Sequence, residues 1–147
     1  MINSLFLEQN IQVIEDAGDW KSAVQKASKP LLVSNIITEK YVQNMIANVK
    51  KHGPYMVLAD YFALMHARPG EGVNQMGMSL LVTKHSVDLF GKPIKIFLVM
   101  AAMDNTSHLD CLQKIVTIFM NEALYQTILE GNKDKIVSLF KESEGEK

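Results

Sequence analysis

Residues 53–82 of the chain read GPYMVLADYFALMHARPGEGVNQMGMSLLV, and this stretch decides the prediction of the fold. Two short apolar runs, residues 55–58 and 62–65, predict strands on either side of a turn at Asp60. The second run leads directly to His66, so its imidazole is expected at the mouth of a hydrophobic core, held rigidly but still accessible. A single histidine at the end of a strand is more often a surface residue, and other residues must decide between the two interpretations.

Three further segments bear on the sheet. Residues 76–83 and 94–101 are longer apolar runs without polar alternation, which is typical of strands that helices cover on both faces. Residues 10–14 predict either an edge strand or the lead into a helix. The middle of the chain is therefore rich in predicted strands.

Helices are predicted before this middle region. Residues 19–33 place apolar side chains on one face of a helix, but Pro30 predicts either an end at Lys29 or two short helices that abut. Thr38 is the predicted N-cap of a second helix, and a basic last turn followed by Gly53 predicts its end.

Helices are also predicted after the middle region. Residues 105–107 open a helical region that ends at Gly131, with a break allowed around residues 120–122, and residues 133–141 form a last helix. Helices on both sides of a strand-rich middle predict an α/β sandwich. We expect a single domain over residues 1–147, with frayed ends at 1–8 and 142–147.

Composition and charge restrict the classes of partner. The 15 basic and 16 acidic residues give a net charge of −1, and no segment concentrates enough positive charge to follow a nucleic-acid backbone. Hydrophobic residues make up 48% of the chain, but the longest apolar runs are too short to span a bilayer. The N-terminal residues lack the pattern of a signal peptide and the single cysteine cannot form an internal disulfide, so we expect a cytoplasmic protein.

Three common types of enzyme site have no counterpart in the sequence pattern. Zinc catalysis needs three or four ligands at recognisable spacing, and a nucleotide site needs a P-loop or a dinucleotide fingerprint. A serine hydrolase needs a Gly-x-Ser-x-Gly nucleophile elbow. The four histidines, the cysteine and the glycines of the chain match none of these patterns, and we expect neither a metal ion nor a cofactor.

His66 remains as a candidate nucleophile. A neutral imidazole has a lone pair that can attack phosphorus in line, and phosphoryl transfer needs mainly alignment and donors aimed at the developing charge. Arg68 is the nearest planar donor, although a solvated turn residue is an equally good interpretation. His108 starts a helix after the strand at residues 94–101, where crevices form in α/β sheets, and a surface position is its alternative.

Two segments of the chain carry a resemblance to a known family. They are residues 53–82, quoted above, and residues 90–115, which read FGKPIKIFLVMAAMDNTSHLDCLQKI. The best markers are Ala-Leu-x-His-Ala-Arg-Pro, Gly-x-Ser-Leu-Leu and Ala-Ala-x-Asp-Asn-x-x-His-Leu. From about residue 38 to residue 139 the chain resembles the type-2 EIIA domain of the bacterial phosphoenolpyruvate-dependent sugar phosphotransferase system, with the ascorbate-type EIIA as the nearest subgroup.

The resemblance implies a fold, an activity and a set of site residues. The fold would be that of mannitol and fructose EIIA domains, a mixed β-sheet of about five strands sandwiched by helices. The histidine that matches His66 would accept a phosphoryl group from phospho-HPr, as a phosphohistidine, and pass it to a cysteine of the cognate EIIB. His108 would orient the ring or stabilise the phosphoryl group, and Arg68 would also stabilise it. No cofactor or metal ion is implied.

Two departures from the family pattern concern prolines. The family usually has Pro-Gly upstream of the active histidine and proline directly before it, where this chain has Asp60-Tyr61 and Met65. Met103 also stands where proline is common. Without those rings φ is free at positions that restrain the loop, so a looser or reshaped site is expected. A basic residue at the end of the preceding helix often assists the site in the family, and Lys50, Lys51 or His52 could fill that place.

The resemblance also implies partners and a process. Phospho-HPr and EIIB would be direct partners, the EIIC membrane transporter would be an indirect one, and the process would be uptake of ascorbate or a related sugar. The apolar content leaves room for a homodimer. The main alternative is a regulatory EIIA-like module, in which phosphorylation of His66 signals to a regulator or a transporter. A second alternative is a small-ligand binding domain that has lost phosphoryl transfer.

Overall fold

A mixed sheet with helices on both faces is formed by residues 8–145, the part of the chain that the computed structural model describes. The strands are β1 (Ile11–Ile14), β2 (Val57–Ala59), β3 (Tyr61–Met65), β4 (Gly77–Leu89) and β5 (Lys92–Ala101). Their order is β1-β4-β5-β3-β2, so residues 11–14 form an edge strand and the two longest strands lie inside the sheet. β1 is parallel to β4 and β3 to β5, whereas β4–β5 and β2–β3 are antiparallel. The predicted mixed α/β sheet is thus confirmed.

The helices form two layers that cover the sheet. They are α1 (Trp20–Val33), α2 (Glu39–His52), α3 (Asn105–Phe119), α4 (Glu122–Leu129) and α5 (Lys133–Gly145), with 3-10 turns at Glu8–Asn10 and Gly53–Met56. Successive strand residues point to opposite faces: Leu81 and Phe97 share a core with α1 and α2, whereas Leu80 and Leu98 share one with α3, α4 and α5. Both faces of β4 and β5 are therefore buried, as their lack of polar alternation predicts.

The predicted interruption of the first helix at Pro30 is wrong, because α1 continues to Val33. A proline has no N–H for the carbonyl four residues earlier, which in this helix belongs to Lys26. The side chain of Gln12, from β1, donates a hydrogen bond from Nε2 to that carbonyl at 2.7 Å. A neighbouring strand thus supplies the donor that the helix itself lacks.

Two predicted strand boundaries are also wrong. Residues 55–56 belong to a 3-10 turn instead of a strand, because Gly53 takes a φ of 67° and redirects the chain before β2 pairs with β3. β4 continues to Leu89, six residues beyond its predicted end. The exposed residues 84–86 lie in an irregularity where the register between β4 and β5 shifts, and pairing with β5 resumes at Val87.

The other helix boundaries agree with the predictions, except the end of the last helix. Thr38 occupies the N-cap position of α2, Gly53 the C-cap position, and the expected break separates α3 from α4, where the Asn121 side chain accepts a bond from the Leu124 N–H at 3.1 Å. Of the ends that we expect to fray, residues 1–7 and 146–147 lie outside the described residues. The predicted end of the last helix at residue 141 is wrong, because α5 extends to Gly145. Among the helices described here, none is long and apolar enough to cross a membrane.

Candidate active site

Two parallel strands bring the candidate residues to one edge of the sheet. β3 and β5 pair in parallel, with Met65 opposite Val99, so both strands end at the same edge. His66 is the first residue after β3, and His108 lies in the first turn of α3, the helix that follows β5. The centroids of the two imidazole rings are 5.3 Å apart, and the ring planes meet at 73°. The fold therefore brings together the two histidines that the sequence singles out.

Side chains of α2 bind the backbone that follows His66. Asn48 Nδ2 donates a hydrogen bond to the His66 carbonyl at 3.3 Å, and the Ala67 N–H donates to the Tyr41 hydroxyl at 3.1 Å. The same hydroxyl donates to the Met100 carbonyl of β5 at 2.6 Å. Tyr41 is buried, and burial raises the pKa of Tyr41 to about 12, so the hydroxyl keeps the proton that this bond needs. The segment after His66 is thus bound to both α2 and β5.

The loop between β3 and β4 is held closely against its neighbours. The Gly70 N–H donates to the Ala102 carbonyl at 2.9 Å, which joins the loop to the segment between β5 and α3. The Gly72 carbonyl accepts bonds from the Thr38 N–H at 2.9 Å and from the Thr38 hydroxyl at 3.2 Å. Gly72 has a φ of 78°, and a Cβ at this position would lie 2.9 Å from the Tyr41 nitrogen. Only glycine allows the loop to approach the start of α2 so closely.

The surroundings of both candidate histidines favour the neutral imidazole. Burial is the main cause that lowers the pKa of His66, and the nearby His108 ring lowers it further. Burial also lowers the pKa of His108, whose Nδ1 atom is buried and has no hydrogen-bond partner in the described part of the chain. A neutral imidazole has one ring nitrogen with a free lone pair, so the His66 ring has the ionisation state that a nucleophile needs.

The two positions without proline are held in other ways. Met65 is the last residue of β3, is fully buried, and pairs with Val99 of β5, so strand pairing and packing restrain its backbone. Met103 is 45% exposed, and its carbonyl oxygen lies only 3.1 Å from where a Cβ on Gly70 would be. The structure thus has strand pairing and close backbone packing at the positions where a proline ring is missing.

Arg68 lies in the loop just after the first candidate histidine. Its side chain is exposed, whereas the contacts described for His66 are the ring of His108 and the side chain of Asn48. A role for Arg68 in the site therefore stays a prediction. Within residues 8–145, no group of three or more His, Cys, Asp or Glu side chains is placed to hold a metal ion.

Two of the three basic residues at the end of α2 have contacts elsewhere. The Lys50 side chain lies beside Lys21 of α1, which lowers the pKa of Lys50 through a side-chain hydrogen bond and through its charge. The His52 ring contacts Tyr55, with the centroids 6.2 Å apart, and Lys51 is exposed. Which of the three assists the site, if any does, stays a prediction.

Tyr41 and Asn48 are the residues that the sequence analysis missed. One signal was available: Tyr41 lies on the apolar face of a predicted amphipathic helix, and a buried tyrosine hydroxyl needs a hydrogen-bond partner. Asn48 follows seven residues later, which is two helical turns, and so lies on the same side of α2. The identity of their partners depends on which strands lie beneath the helix.

Comparison of the sequence with known proteins identifies its relatives. A model of the family described as "Phosphoenolpyruvate-dependent sugar phosphotransferase system, EIIA 2" matches residues 4–143. The mannitol-specific cryptic phosphotransferase enzyme IIA component of Escherichia coli (strain K12) is 32% identical over 136 residues, which cover 91% of this chain and 92% of that protein. The ascorbate-specific PTS system EIIA component of Shigella flexneri is 32% identical over 124 residues, which cover 82% of this chain and 80% of that protein.

Solved structures share the fold. The solution structure of the mannitol-specific cryptic phosphotransferase enzyme IIA from Escherichia coli matches with a TM-score of 0.88 at 31% identity, covering 95% of this chain and 98% of that one. Enzyme IIAMTL from Escherichia coli, solved in complex with phosphorylated enzyme IIBMTL, matches with a TM-score of 0.77 at 18% identity, covering 93% and 99%. At that identity the second match shows the fold alone. The predicted mannitol-type architecture is confirmed.

Proposed function

The chain belongs to the EIIA 2 family of the phosphoenolpyruvate-dependent sugar phosphotransferase system, and we propose that it is a phosphocarrier in which His66 is the phosphoryl acceptor. Members of this family are phosphotransferase components of sugar uptake. The observation that supports His66 most directly is the pair of imidazole rings, 5.3 Å apart, at the edge where β3 and β5 end. Burial lowers the pKa of both rings, which favours the neutral form that a nucleophile needs.

The proposed transfer forms one nitrogen–phosphorus bond as another breaks. The His66 lone pair attacks the phosphorus of the phosphohistidine on HPr in line, and the departing HPr imidazole takes back the electron pair of its own bond. One phosphoramidate replaces another, so the step is close to thermoneutral. In the second transfer a cysteine thiolate of EIIB attacks the same phosphorus, a sulfur–phosphorus bond forms, and His66 regains its lone pair.

His108 and Arg68 are proposed to stabilise the group in transit. Negative charge spreads over three equatorial phosphoryl oxygens in the transition state, and donors aimed at those oxygens lower the barrier. The centroid of the His108 ring lies 5.3 Å from that of His66, so His108 is near enough to be proposed as a donor to a group bound on His66. Arg68, two residues after His66, would supply a planar charged donor.

Exposed apolar side chains on α3 and in the segment before it support the docking of protein partners. Met103, Leu109 and Val116 are 45%, 62% and 49% exposed. A surface that receives phospho-HPr and then EIIB must tolerate two partners, which suits adaptable apolar side chains. We therefore propose these two proteins as direct partners and the EIIC transporter as an indirect one. From the family we further propose the cytoplasm as the location and ascorbate or a related sugar as the transported substrate.

Labelling with phosphoenolpyruvate, enzyme I and HPr tests the proposal. His66→Ala should abolish incorporation of phosphate while the protein stays folded by circular dichroism, and full labelling of this variant would remove His66 as the acceptor. His108→Ala and Arg68→Ala should slow labelling without removing the acceptor, and unchanged rates would remove these two residues from the site. His85→Ala is the control, because His85 is exposed on β4 beside Glu15, and it should label like the wild type.

A second step of the same assay separates transport from regulation. A carrier should pass its label on to the cysteine of an EIIB. A regulatory module that uses phosphorylation of His66 only as a signal should keep the label when EIIB is added. Retention of the label with every EIIB offered, despite rapid acceptance from HPr, would favour the regulatory alternative.

A further inference from the structure

Both polar groups of a single peptide unit are bound by side chains of α2. The His66 carbonyl and the Ala67 N–H belong to the same peptide bond, and Asn48 and Tyr41 bind them at 3.3 Å and 3.1 Å. A peptide unit is planar, so bonds at its two opposite ends define the orientation of the plane. That orientation in turn sets ψ of His66 and φ of Ala67.

This peptide unit lies just beyond the ladder of β3, which ends at Met65. Its N–H is buried and its carbonyl partly buried, and leaving such groups without hydrogen-bond partners is costly. Tyr41 extends the restraint to β5, because its hydroxyl both accepts from Ala67 and donates to the Met100 carbonyl at 2.6 Å. One hydrogen-bonded chain therefore links β5, Tyr41 and the backbone of the candidate nucleophile.

We propose that Tyr41 and Asn48 are positioning residues that hold the His66 backbone in the orientation that in-line phosphoryl transfer requires, an inference that rests on the proposed function. A misplacement of about 1 Å can slow such a reaction by about 100-fold. Strand pairing at Met65 restrains the backbone before His66, and the two α2 side chains restrain the backbone after it. Together they take the place of a proline ring beside the nucleophile.

If the Tyr41 hydroxyl had a purely structural role, its loss would lower stability without a specific effect on His66. Tyr125 is a matched control for this alternative. Tyr125 is also buried, its hydroxyl also donates to a backbone carbonyl, that of Asp60, and burial also raises its pKa to about 12. Asp60 precedes β3, whereas His66 follows it, so Tyr125 lies at the opposite end of that strand. Loss of either hydroxyl should destabilise the fold, but only loss of the Tyr41 hydroxyl should affect His66.

The test compares Tyr41→Phe with Tyr125→Phe, and Asn48→Ala with Asn44→Ala, a half-buried asparagine of the same helix. Imidazole nitrogen NMR follows the titration of His66 in each full-length protein, single-turnover labelling by phospho-HPr gives the rate, and urea unfolding gives the stability. In Tyr41→Phe and Asn48→Ala we expect the pKa of His66 to rise towards its ordinary value, because the ring is no longer held in its buried position. We expect labelling to slow by about 10-fold or more.

The control variants Tyr125→Phe and Asn44→Ala should titrate and label like the wild type. The proposal is overturned if Tyr41→Phe and Asn48→Ala leave both the titration and the rate unchanged, or if Tyr125→Phe alters them as much as Tyr41→Phe does. If Tyr41→Phe does not fold, Asn48→Ala decides alone. The titration needs no phosphoryl donor, so a wild-type protein that phospho-HPr cannot label would refute the proposed function while the positional effect on His66 could still be measured.

Discussion

Replacement of Gly70 by alanine should damage both the stability and the activity of the protein. Gly70 has a φ of 91°, its N–H donates to the Ala102 carbonyl at 2.9 Å, and a Cβ there would lie 3.1 Å from the Met103 carbonyl oxygen. The left-handed backbone conformation costs about 1–2 kcal/mol for a residue with a Cβ. The contact with a backbone oxygen, which cannot rotate away, should add about 1–3 kcal/mol as overpacking.

Gly91→Ala is a matched control for the backbone cost alone. Gly91 lies in the turn between β4 and β5 with a φ of 90°, and a Cβ there would meet nothing within 4 Å. It should therefore lose only about 1–2 kcal/mol, against about 2–5 kcal/mol for Gly70→Ala. Urea unfolding followed by circular dichroism measures both losses.

Activity should separate the two glycine variants further. The bond from Gly70 joins the loop after His66 to the segment that leads into the helix of His108, so Gly70→Ala should also slow labelling by phospho-HPr. Gly91→Ala should label at the wild-type rate. Equal losses of stability in the two variants, together with an unchanged labelling rate for Gly70→Ala, would refute the reasoning.

Two further predictions concern acidity and α1. The pKa values of His66 and His108 are lower in the folded protein than in the unfolded chain, so on acidification the unfolded chain binds protons first. The contribution of these two histidines to the free energy of unfolding should therefore be fully present above about pH 6.5 and be lost as the pH falls through the folded pKa values. Urea unfolding between pH 5 and pH 8 measures this loss, and a His66→Gln, His108→Gln double variant with the same acid dependence would contradict it. Gln12→Ala should cost about 0.5–1.5 kcal/mol by freeing the Lys26 carbonyl, but almost nothing in a Pro30→Ala background, where the new N–H can bind that carbonyl. Equal losses in the two backgrounds would show that the Gln12 side chain does not act through this bond.

Patterns of neighbouring residues predicted much of the architecture. The apolar residues of α2 recur at helical spacing, and the unbroken apolar runs of β4 and β5 correspond to strands that are buried on both faces. Thr38 and Gly53 stand at the two ends of α2 as predicted, although the Thr38 side chain forms no capping hydrogen bond and its hydroxyl donates to the Gly72 carbonyl instead. These features depend on the preferences of short segments, so they can be recognised without knowledge of the rest of the fold.

The errors arose where a distant segment changed a local preference. Pro30 would ordinarily end α1, but Gln12 of the adjacent edge strand satisfies the carbonyl that the proline leaves without a donor. β4 tolerates its exposed polar residues 84–86 because pairing with β5 resumes at Val87. In both places the deciding partner comes from another element, and its position follows from the order of strands in the sheet.

The sequence by itself determined the classes of element, the placement of His66 directly after a strand, and the resemblance that pairs it with His108. Only the tertiary structure decided that the two rings lie 5.3 Å apart and that Tyr41 binds Met100, a residue 59 positions away. The physical reason is that periodicity and capping act within a few residues, whereas these contacts exist only once β3 and β5 lie side by side beneath α2. The backbone conformation at His66 is therefore set by contacts within the assembled sheet and helix, not by the segment that contains His66.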